Sequence, residues 1–261
     1  MSEVPGGTVK VGRDGAVTIL TLSFPERRNA FSLPLRAVLH TELQAALADE
    51  ACRVLVITGE GANFCSGGDI TSFDGVTAVS GRRRMQRVHE IVRLIVRGEK
   101  PVVAAVEGHA AGAGLCVAAA CDMVVAARDA RLSCTFNKIG LFPDFGGAWS
   151  IPLRMGIGKA KLMMMSGRVL DGEAGERQGL VDLLAEPGQA LVEALKLAQE
   201  VAKMAPLSNG LVKAVLARGP GPLEEVLAAE ADAQGVLYAS EDFQEGRHAF
   251  LEKRSPTFKG R

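Results

Sequence analysis

The sequence predicts an α/β fold with one large core and a helical C-terminal region. Short apolar strands recur between glycine-rich loops and amphipathic helices, which is typical of strands joined by crossover connections. Hydrophobic residues make up 48% of the 261 positions, enough for a full core. From residue 191 onward the pattern is almost purely helical.

The N-terminal elements follow from local signals. Alternating β-branched residues in 9–11 and 16–23 flank a turn at Asp14 and Gly15, which predicts a β-hairpin. Ser32, followed by Pro34 and periodic leucines, predicts a capped amphipathic helix.

The central elements alternate between buried strands and helices. A loop carries residues 60–80, and a helix is predicted from Arg82 to Arg97. The predicted buried strands are 54–58, 101–106 and 123–127, with a short helix ending at Ala120 before the last. We expect residues 1–200 to form the core and 201–261 a helical region that closes over it or reaches a neighbouring subunit.

Composition excludes several classes of protein. Thirty basic residues balance thirty acidic ones, so no global field would hold a nucleic acid. No apolar run approaches membrane-spanning length, and residues 1–15 lack the features of a signal peptide. We therefore predict a soluble cytoplasmic protein that binds neither nucleic acid nor membrane.

The cysteines and histidines offer no metal site. Five cysteines without C-x-x-C spacing and in mostly apolar company predict reduced core thiols. The four histidines are scattered without ligand spacing, so no bound metal is expected.

Two glycine-rich turns are the main candidates for chemistry. Ser66-Gly67-Gly68-Asp69 follows one buried strand, and Gly112-Ala113-Gly114 precedes a helix after another. Turns without side chains let an oxygen approach backbone N–H groups, and a helix N-terminus favours negative charge. Ordinary turns are the alternative, because glycine clusters usually mark nothing more.

A dinucleotide site is a further alternative for the second turn. Gly112-Ala113-Gly114 and the later Asp129 imitate part of that fingerprint. Val117 stands where the third glycine belongs, and the motif lies mid-chain, so this alternative is disfavoured.

Several motifs, in order and spacing, resemble the crotonase (enoyl-CoA hydratase/isomerase) superfamily. They are 25–32 (PERRNAFS), 57–61 (ITGEG), 64–70 (FCSGGDI), 108–114 (GHAAGAG), 120–122 (ACD), 140–147 (GLFPDFGG) and 250–256 (FLEKRSP). The resemblance extends to Arg261. It implies a spiral of β-β-α units with two near-perpendicular sheets, a helical C-terminal region, and assembly as a homotrimer or a dimer of trimers.

The resemblance also implies roles for the two turns. The N–H groups of Gly68 and Ala113 would form an oxyanion hole for the carbonyl oxygen of an acyl-CoA thioester. A thioester α-proton is too weakly acidic to remove unless the enolate is stabilised as it forms. Coenzyme A would be part of the substrate, and no separate cofactor is expected.

The carboxylates decide which branch of the superfamily is closest. Hydratases of the family hold a water between two glutamates, and those places correspond here to Cys116 and Phe136. Neither positions a water as a carboxylate does. Asp144 stands where the branch resembling ring-1,2-epoxyphenylacetyl-CoA isomerase and related enoyl-CoA isomerases carries its acid/base aspartate.

One carboxylate suffices to move a proton between two carbons of a dienolate, so the sequence favours isomerisation of an unsaturated acyl-CoA. Apolar neighbours such as Phe142 and Trp149 would raise the pKa of Asp144 and make it a better base. A turn aspartate is the alternative, because Pro-Asp-x-Gly is common in turns.

Further substrate contacts are implied by the resemblance. Arg27 and Arg28 would lie near the nucleotide, and Phe250, Lys253 and Lys259 would cover the adenine end, in some relatives from a neighbouring subunit. Acyl-site contacts are expected from Phe64, Ser66, Asp69, Ile70, His109, Cys116, Phe136, Phe142 and Trp149. The cluster Arg82-Arg83-Arg84 is interpreted as a solvated helix start.

Two rival functions are left open. One is an enoyl-CoA hydratase that uses Asp144 alone, and the other is an acyl-CoA binder without catalysis.

Overall fold

The computed structural model describes residues 6–261, and it opens with the predicted hairpin. Strands β1 (Thr8–Asp14) and β2 (Val17–Ser23) pair antiparallel around Gly15, whose φ is +57°. Helix α1 (Leu33–Ala48) follows, and its predicted cap is present because the Ser32 hydroxyl accepts from Leu35 N. The targeting-signal prediction for residues 1–15 lies partly outside the described residues.

Parallel strands extend the hairpin into the larger sheet. Within residues 6–261 this sheet has six strands in the order β1-β2-β3-β4-β6-β9. The added strands, all parallel, are β3 (Val54–Gly59), β4 (Val102–Val106), β6 (Met123–Ala127) and β9 (Leu183–Ala185). The predicted central strands agree with these bounds to within one residue.

A smaller sheet stands beside the cavity described below. It contains β5 (His109–Ala111), β7 (Arg131–Ser133) and β8 (Val169–Leu170). Helix α3 (Ala113–Ala120) leaves β5 directly, and all eight of its residues are buried.

Helix α2 (Ala78–Arg97) begins four residues before the predicted Arg82. Thr77 and Ser80 form a capping box, in which each side chain accepts from the other residue's backbone N–H. This reciprocal cap starts the helix inside what the sequence predicts as loop. A 3₁₀ helix, Ile70–Phe73, occupies another part of that loop.

The larger sheet is buried on both faces. Leu55 and Ile57 of β3 pack into one hydrophobic cluster, and the alternate residues Val54 and Val56 pack into another. Helix α7 (Ala190–Ala202) covers the second face through alanines one turn apart. Two buried faces explain why the strands are continuously apolar.

The remaining helices surround and follow the core. They are α4 (Gly147–Met155), α5 (Ile157–Ser166), α6 (Gly172–Arg177), α8 (Pro206–Leu216), α9 (Leu223–Tyr238) and α10 (Glu241–Glu252). Lys213 of α8 is buried and donates to Asp122 Oδ2 at 2.7 Å, which joins this region to the core. Helix α7 crosses the predicted boundary at residues 200/201, and the two-part division stays a prediction.

Two further features concern the chain as a whole. All five cysteines are free and buried, which confirms the predicted core thiols. Among residues 6–261 no helix combines the length and apolarity needed to cross a bilayer.

Candidate active site

Hydrogen bonds bring the two glycine turns together. Cys65 N donates to His109 O, and Ala111 N donates to Cys65 O, both at 2.9 Å. On the other side, Phe31 N donates to Gly67 O at 2.7 Å, and Asp69 N donates to Phe31 O. The first turn is therefore held between the start of α1 and strand β5.

Close backbone approach explains the glycines at this junction. Gly67 has a φ of +111°, and a Cβ there would lie 3.0 Å from Ala111 O. A Cβ on Gly114 would lie 2.4 Å from Cys65 O, closer than real Cβ contacts. Side chains at these positions would force the two turns apart.

The amides of Gly68 and Ala113 are free to bind a ligand. Within residues 6–261, neither N–H donates to a backbone or side-chain acceptor. Ala113 is the first residue of α3, where the helix dipole adds partial positive charge. Both residues line one cavity of about 550 Å³.

Asp144 lines the same cavity. It lies just before α4, and its Oδ1 is buried without a hydrogen-bond partner in the described chain. Burial raises the pKa of Asp144 to about 6, although the nearby guanidinium groups of Arg36 and Arg84 act to lower that pKa. Of the described residues that line this cavity, Asp144 is the one carboxylate.

Arg36 is a functional candidate that sequence reasoning missed. It is 6% exposed, its Nε donates to Phe31 O at 3.1 Å, and its two terminal nitrogens have no hydrogen-bond partner in the described chain. The Phe31 carbonyl also accepts from Asp69 N, so Arg36 supports the first turn. Burial, and next the charge of Arg84, lower the pKa of Arg36 to about 10.

Arg84 is the second such residue. Its terminal nitrogens donate to Ser72 O and Ser72 Oγ, and the guanidinium lies 4.3 Å from the centre of the Phe73 ring. Its Nε is buried and unpaired in the described chain. The interpretation of the arginine cluster as solvated therefore holds for Arg82 and Arg83, which are exposed, and is wrong for Arg84.

Helical spacing contains a signal for both arginines. Arg84 stands four residues before Val88, in register with the buried positions Ile91 and Ile95. Arg36 stands three residues before the buried Leu39. A charged residue on an apolar stripe points toward the interior.

Seven of the predicted site residues line the cavity together. They are Ser66, Gly68, Ile70, Ala113, Phe136, Phe142 and Asp144. Ser66 also connects this wall to the end of the hairpin, because its Oγ donates to Arg27 O and its N donates to Arg28 O. The side chains of Arg27 and Arg28 are exposed beside the turn, and their role toward the nucleotide stays a prediction.

Three of the predicted contact residues have side chains that lie away from the cavity around Asp144. Phe64 and Cys116 are 0% exposed because both pack in the hydrophobic core. Trp149 lines a different cavity, with Leu153 and Lys213, because it faces helix α8. These side chains do not form part of the wall around Asp144.

Other predicted residues lie outside the cavity wall. Asp69 caps the 3₁₀ helix by accepting from Thr71 N, and His109 is exposed on β5. Phe250 and Lys253 lie at the C-terminal end of α10, where Phe250 is 84% exposed, and Lys259 follows in the tail. Their contacts with substrate stay predictions.

Two residues with free amides that line one cavity together with a partly buried carboxylate are suited to an enzyme that stabilises an oxyanion and moves a proton. A model of the enoyl-CoA hydratase/isomerase family matches residues 12–261. The chain belongs to this family of acyl-CoA enzymes.

Individual relatives carry both kinds of name. A 1,2-epoxyphenylacetyl-CoA isomerase of Escherichia coli is 34% identical over 94% of this chain and 95% of its own. A crotonyl-CoA hydratase of Syntrophomonas wolfei is 32% identical over 94% and 95%. The crystal structure of an enoyl-CoA hydratase from Polaromonas sp. JS666 superimposes with a TM-score of 0.92 at 36% identity, covering 97% of this chain and all of the other. The predicted crotonase-like fold is confirmed.

Proposed function

We propose that the protein isomerises an unsaturated acyl-CoA, moving a double bond from the β,γ to the α,β position. Asp144 carries this proposal because it is the single carboxylate among the described residues that line the cavity. Hydration that uses two carboxylates has no second group here: the corresponding places hold Cys116, which is buried, and Phe136.

The proposed reaction begins at the α-carbon. The Asp144 carboxylate removes a proton, and the electrons of that C–H bond pass into the thioester to give a dienolate. Developing charge on the carbonyl oxygen is met by the N–H groups of Gly68 and Ala113, which need no reorganisation. The same Asp144 then returns the proton to the γ-carbon, and the double bond ends in conjugation with the thioester.

The environment of Asp144 supports its role as a base. A pKa of about 6 leaves the carboxylate mostly ionised at neutral pH while making it more basic than an exposed aspartate. Burial raises this pKa, and the two arginines keep it from rising further. Because this pKa lies close to neutral pH, Asp144 can both remove the proton from the α-carbon and return it to the γ-carbon.

An enoyl-CoA hydratase is the second candidate, and the names of relatives favour it. In that case Asp144 alone would position the attacking water and accept its proton. Assays of 3-hexenoyl-CoA isomerisation and crotonyl-CoA hydration, run side by side, separate the two candidates. We expect faster isomerisation, and faster hydration would reverse the assignment.

A binder without catalysis is the third candidate. For such a protein the Asp144→Ala variant and the unmodified chain would show the same background conversion of both substrates while retaining coenzyme A affinity. We expect instead that unmodified protein turns over substrate and that the variant loses this activity.

We also propose assembly as a homotrimer or a dimer of trimers. Helix α9 has no buried residue, and it exposes large apolar side chains that include Leu223, Val236 and Tyr238. Such a face needs a partner to remove it from water. Sedimentation of the full chain tests this, and a monomer at micromolar concentration would contradict it.

A further inference from the structure

Two cationic side chains, those of Arg84 and Lys138, line the cavity around Asp144, and Asp144 is the one acidic residue among the described residues that line it. Arg36 and Arg84 both act on the pKa of Asp144, and each lowers it. Arg84 also lowers the pKa of Arg36, so the two guanidinium groups repel each other. Two guanidinium groups therefore act on one carboxylate whose pKa is about 6: Arg84 lines the same cavity, and Arg36 lines the neighbouring one.

Neither arginine has a carboxylate partner. Among residues 6–261, none of the ion pairs within 4 Å includes Arg36 or Arg84. The terminal nitrogens of Arg36 and the Nε of Arg84 are buried without any acceptor in that range. Buried guanidinium groups without a counter-charge are costly. Arg84 lines the cavity around Asp144, so an anionic group bound there would offset the uncompensated charge of the two arginines.

A second cavity continues the basic surface. It has a volume of about 650 Å³ and shares Val76 and Arg84 with the cavity around Asp144. Five basic side chains line it, and Glu90 is the one acidic residue among the described residues that do so. The basic side chains belong to Arg36, Arg83, Arg84, Arg87 and His40. Arg84 thus stands between the acyl site and a basic compartment.

We infer that the substrate's acyl group carries a carboxylate in addition to its thioester, and that Arg84, backed by Arg36, binds this carboxylate. The inference rests on the proposed acyl-CoA function of the same cavity. The thioester oxygen is already provided for by two backbone amides, which leaves the guanidinium groups for a second anionic group. Ser72 and Phe73 hold Arg84 in place, so little side-chain freedom is lost on binding.

Binding of saturated ligands tests this inference without turnover. Calorimetry on the full chain at pH 7.5 would compare three matched pairs: succinyl-CoA with butyryl-CoA, adipyl-CoA with hexanoyl-CoA, and suberyl-CoA with octanoyl-CoA. In at least one pair we expect the dicarboxylic ligand to bind about tenfold more tightly, as one charge-assisted hydrogen bond provides. Its monomethyl ester should lose that preference, because the charge is gone while the shape is kept.

Two variants locate the preference. Arg84→Met should bring the affinity ratio of the preferred pair close to one. Arg82→Met, on the same helix but exposed and lining neither cavity, should keep the ratio. Should Arg84→Met fail to fold by circular dichroism, the ester comparison on unmodified protein decides alone.

The inference is overturned if every monocarboxylic ligand binds as tightly as its partner, which would mean that the arginines act on Asp144 alone. It is also overturned if the ratio survives in Arg84→Met. Turnover of 3-hexenoyl-CoA without tighter binding of any dicarboxylic ligand would contradict this inference and leave the proposed function intact. A dicarboxylic preference without turnover of any unsaturated acyl-CoA would support this inference and contradict the proposed isomerase activity.

Discussion

The two walls of the cavity are built from different materials. One wall is backbone: the turns at Gly67–Asp69 and Gly112–Gly114, which are fixed by hydrogen bonds to neighbouring segments and are too crowded for a Cβ at Gly67 or Gly114. The other wall carries charge: Asp144 and Arg84 line the cavity, and the buried Arg36 acts on both of them from outside the wall. Each arginine lies over an aromatic ring. Backbone geometry therefore fixes the positions of the amides in the first wall, whereas burial and neighbouring charges fix the pKa of the carboxylate in the second.

The largest effect should come from removing the acid. Asp144→Asn keeps the shape of the side chain and abolishes its basicity, so we expect isomerase kcat to fall by about 10²–10⁴-fold. Asp74→Asn, on the loop before α2, is the matched control and should keep its activity. Retention of most activity by Asp144→Asn would show that the charged wall does not supply the base.

Asp144→Asn also measures how much stability the protein loses by keeping a buried carboxylate ionised in this wall. The folded-state pKa of Asp144 is raised from 3.8 to about 6, so the folded protein binds the extra proton within that window. Stability from this group is present below pH 3.8 and is lost as pH rises through about 6. Asp144→Asn should therefore raise the melting temperature at pH 7, with the gain disappearing toward pH 4.

Adding a methyl group at Gly114 tests whether close packing of the two turns holds the backbone wall together. In Gly114→Ala the new Cβ would lie 2.4 Å from Cys65 O, so the turns must separate. We expect a loss of about 1–3 kcal/mol in the free energy of unfolding, with lower kcat. Gly158→Ala in α5 is the control because its Cβ meets open space. Equal denaturation midpoints for the two variants would contradict the packing argument.

A smaller effect separates the two arginines. With Asp144 as the base, kcat/KM should fall as pH drops below about 6, because the protonated acid cannot accept a proton. Arg36 lowers the pKa of Asp144 more than Arg84 does. Arg36→Met should therefore move the acidic limb upward by about one pH unit, and Arg84→Met by less. The pH profiles measure this, and a downward shift in either variant would contradict it.

The smallest effect is expected behind the walls. Cys116 is buried, and a Cβ on Gly147 would meet its sulfur at 2.2 Å, so the thiol is a packing group. Cys116→Ala should cost about 1 kcal/mol of stability, measured by urea denaturation. Its effect on turnover should be far smaller than that of Asp144→Asn. A loss of activity as large as that of Asp144→Asn would assign the thiol a chemical role.

The two walls also differed in how well the sequence predicted them. Gly67, Gly112 and Gly114 mark backbone conformations or close approaches that other residues rarely tolerate, so the two turns were predicted in place. Asp144 was predicted through the family resemblance, because Pro-Asp-x-Gly alone also describes an ordinary turn. Arg36 escaped notice, and Arg84 was assigned to solvent, because a charged residue near a helix start is usually exposed.

Three predicted contact residues lie away from the cavity wall for the same reason. Phe64 and Cys116 stand two and three residues from cavity residues along the chain, yet their side chains are buried in the core. Trp149 follows Asp144 by five residues and points toward helix α8 instead. Proximity in sequence gives the position of the backbone and leaves the direction of the side chain open.

The sequence by itself determined the N-terminal hairpin, the three central strands, the main helices and the two glycine turns, because each depends on signals within a few residues. The tertiary structure decided which charged groups face the cavity and how basic Asp144 becomes. Those properties arise from burial, and burial sums contributions from segments far apart in the chain: the start of α1, helix α2, the second glycine turn and the loop before α4. No local pattern contains that sum.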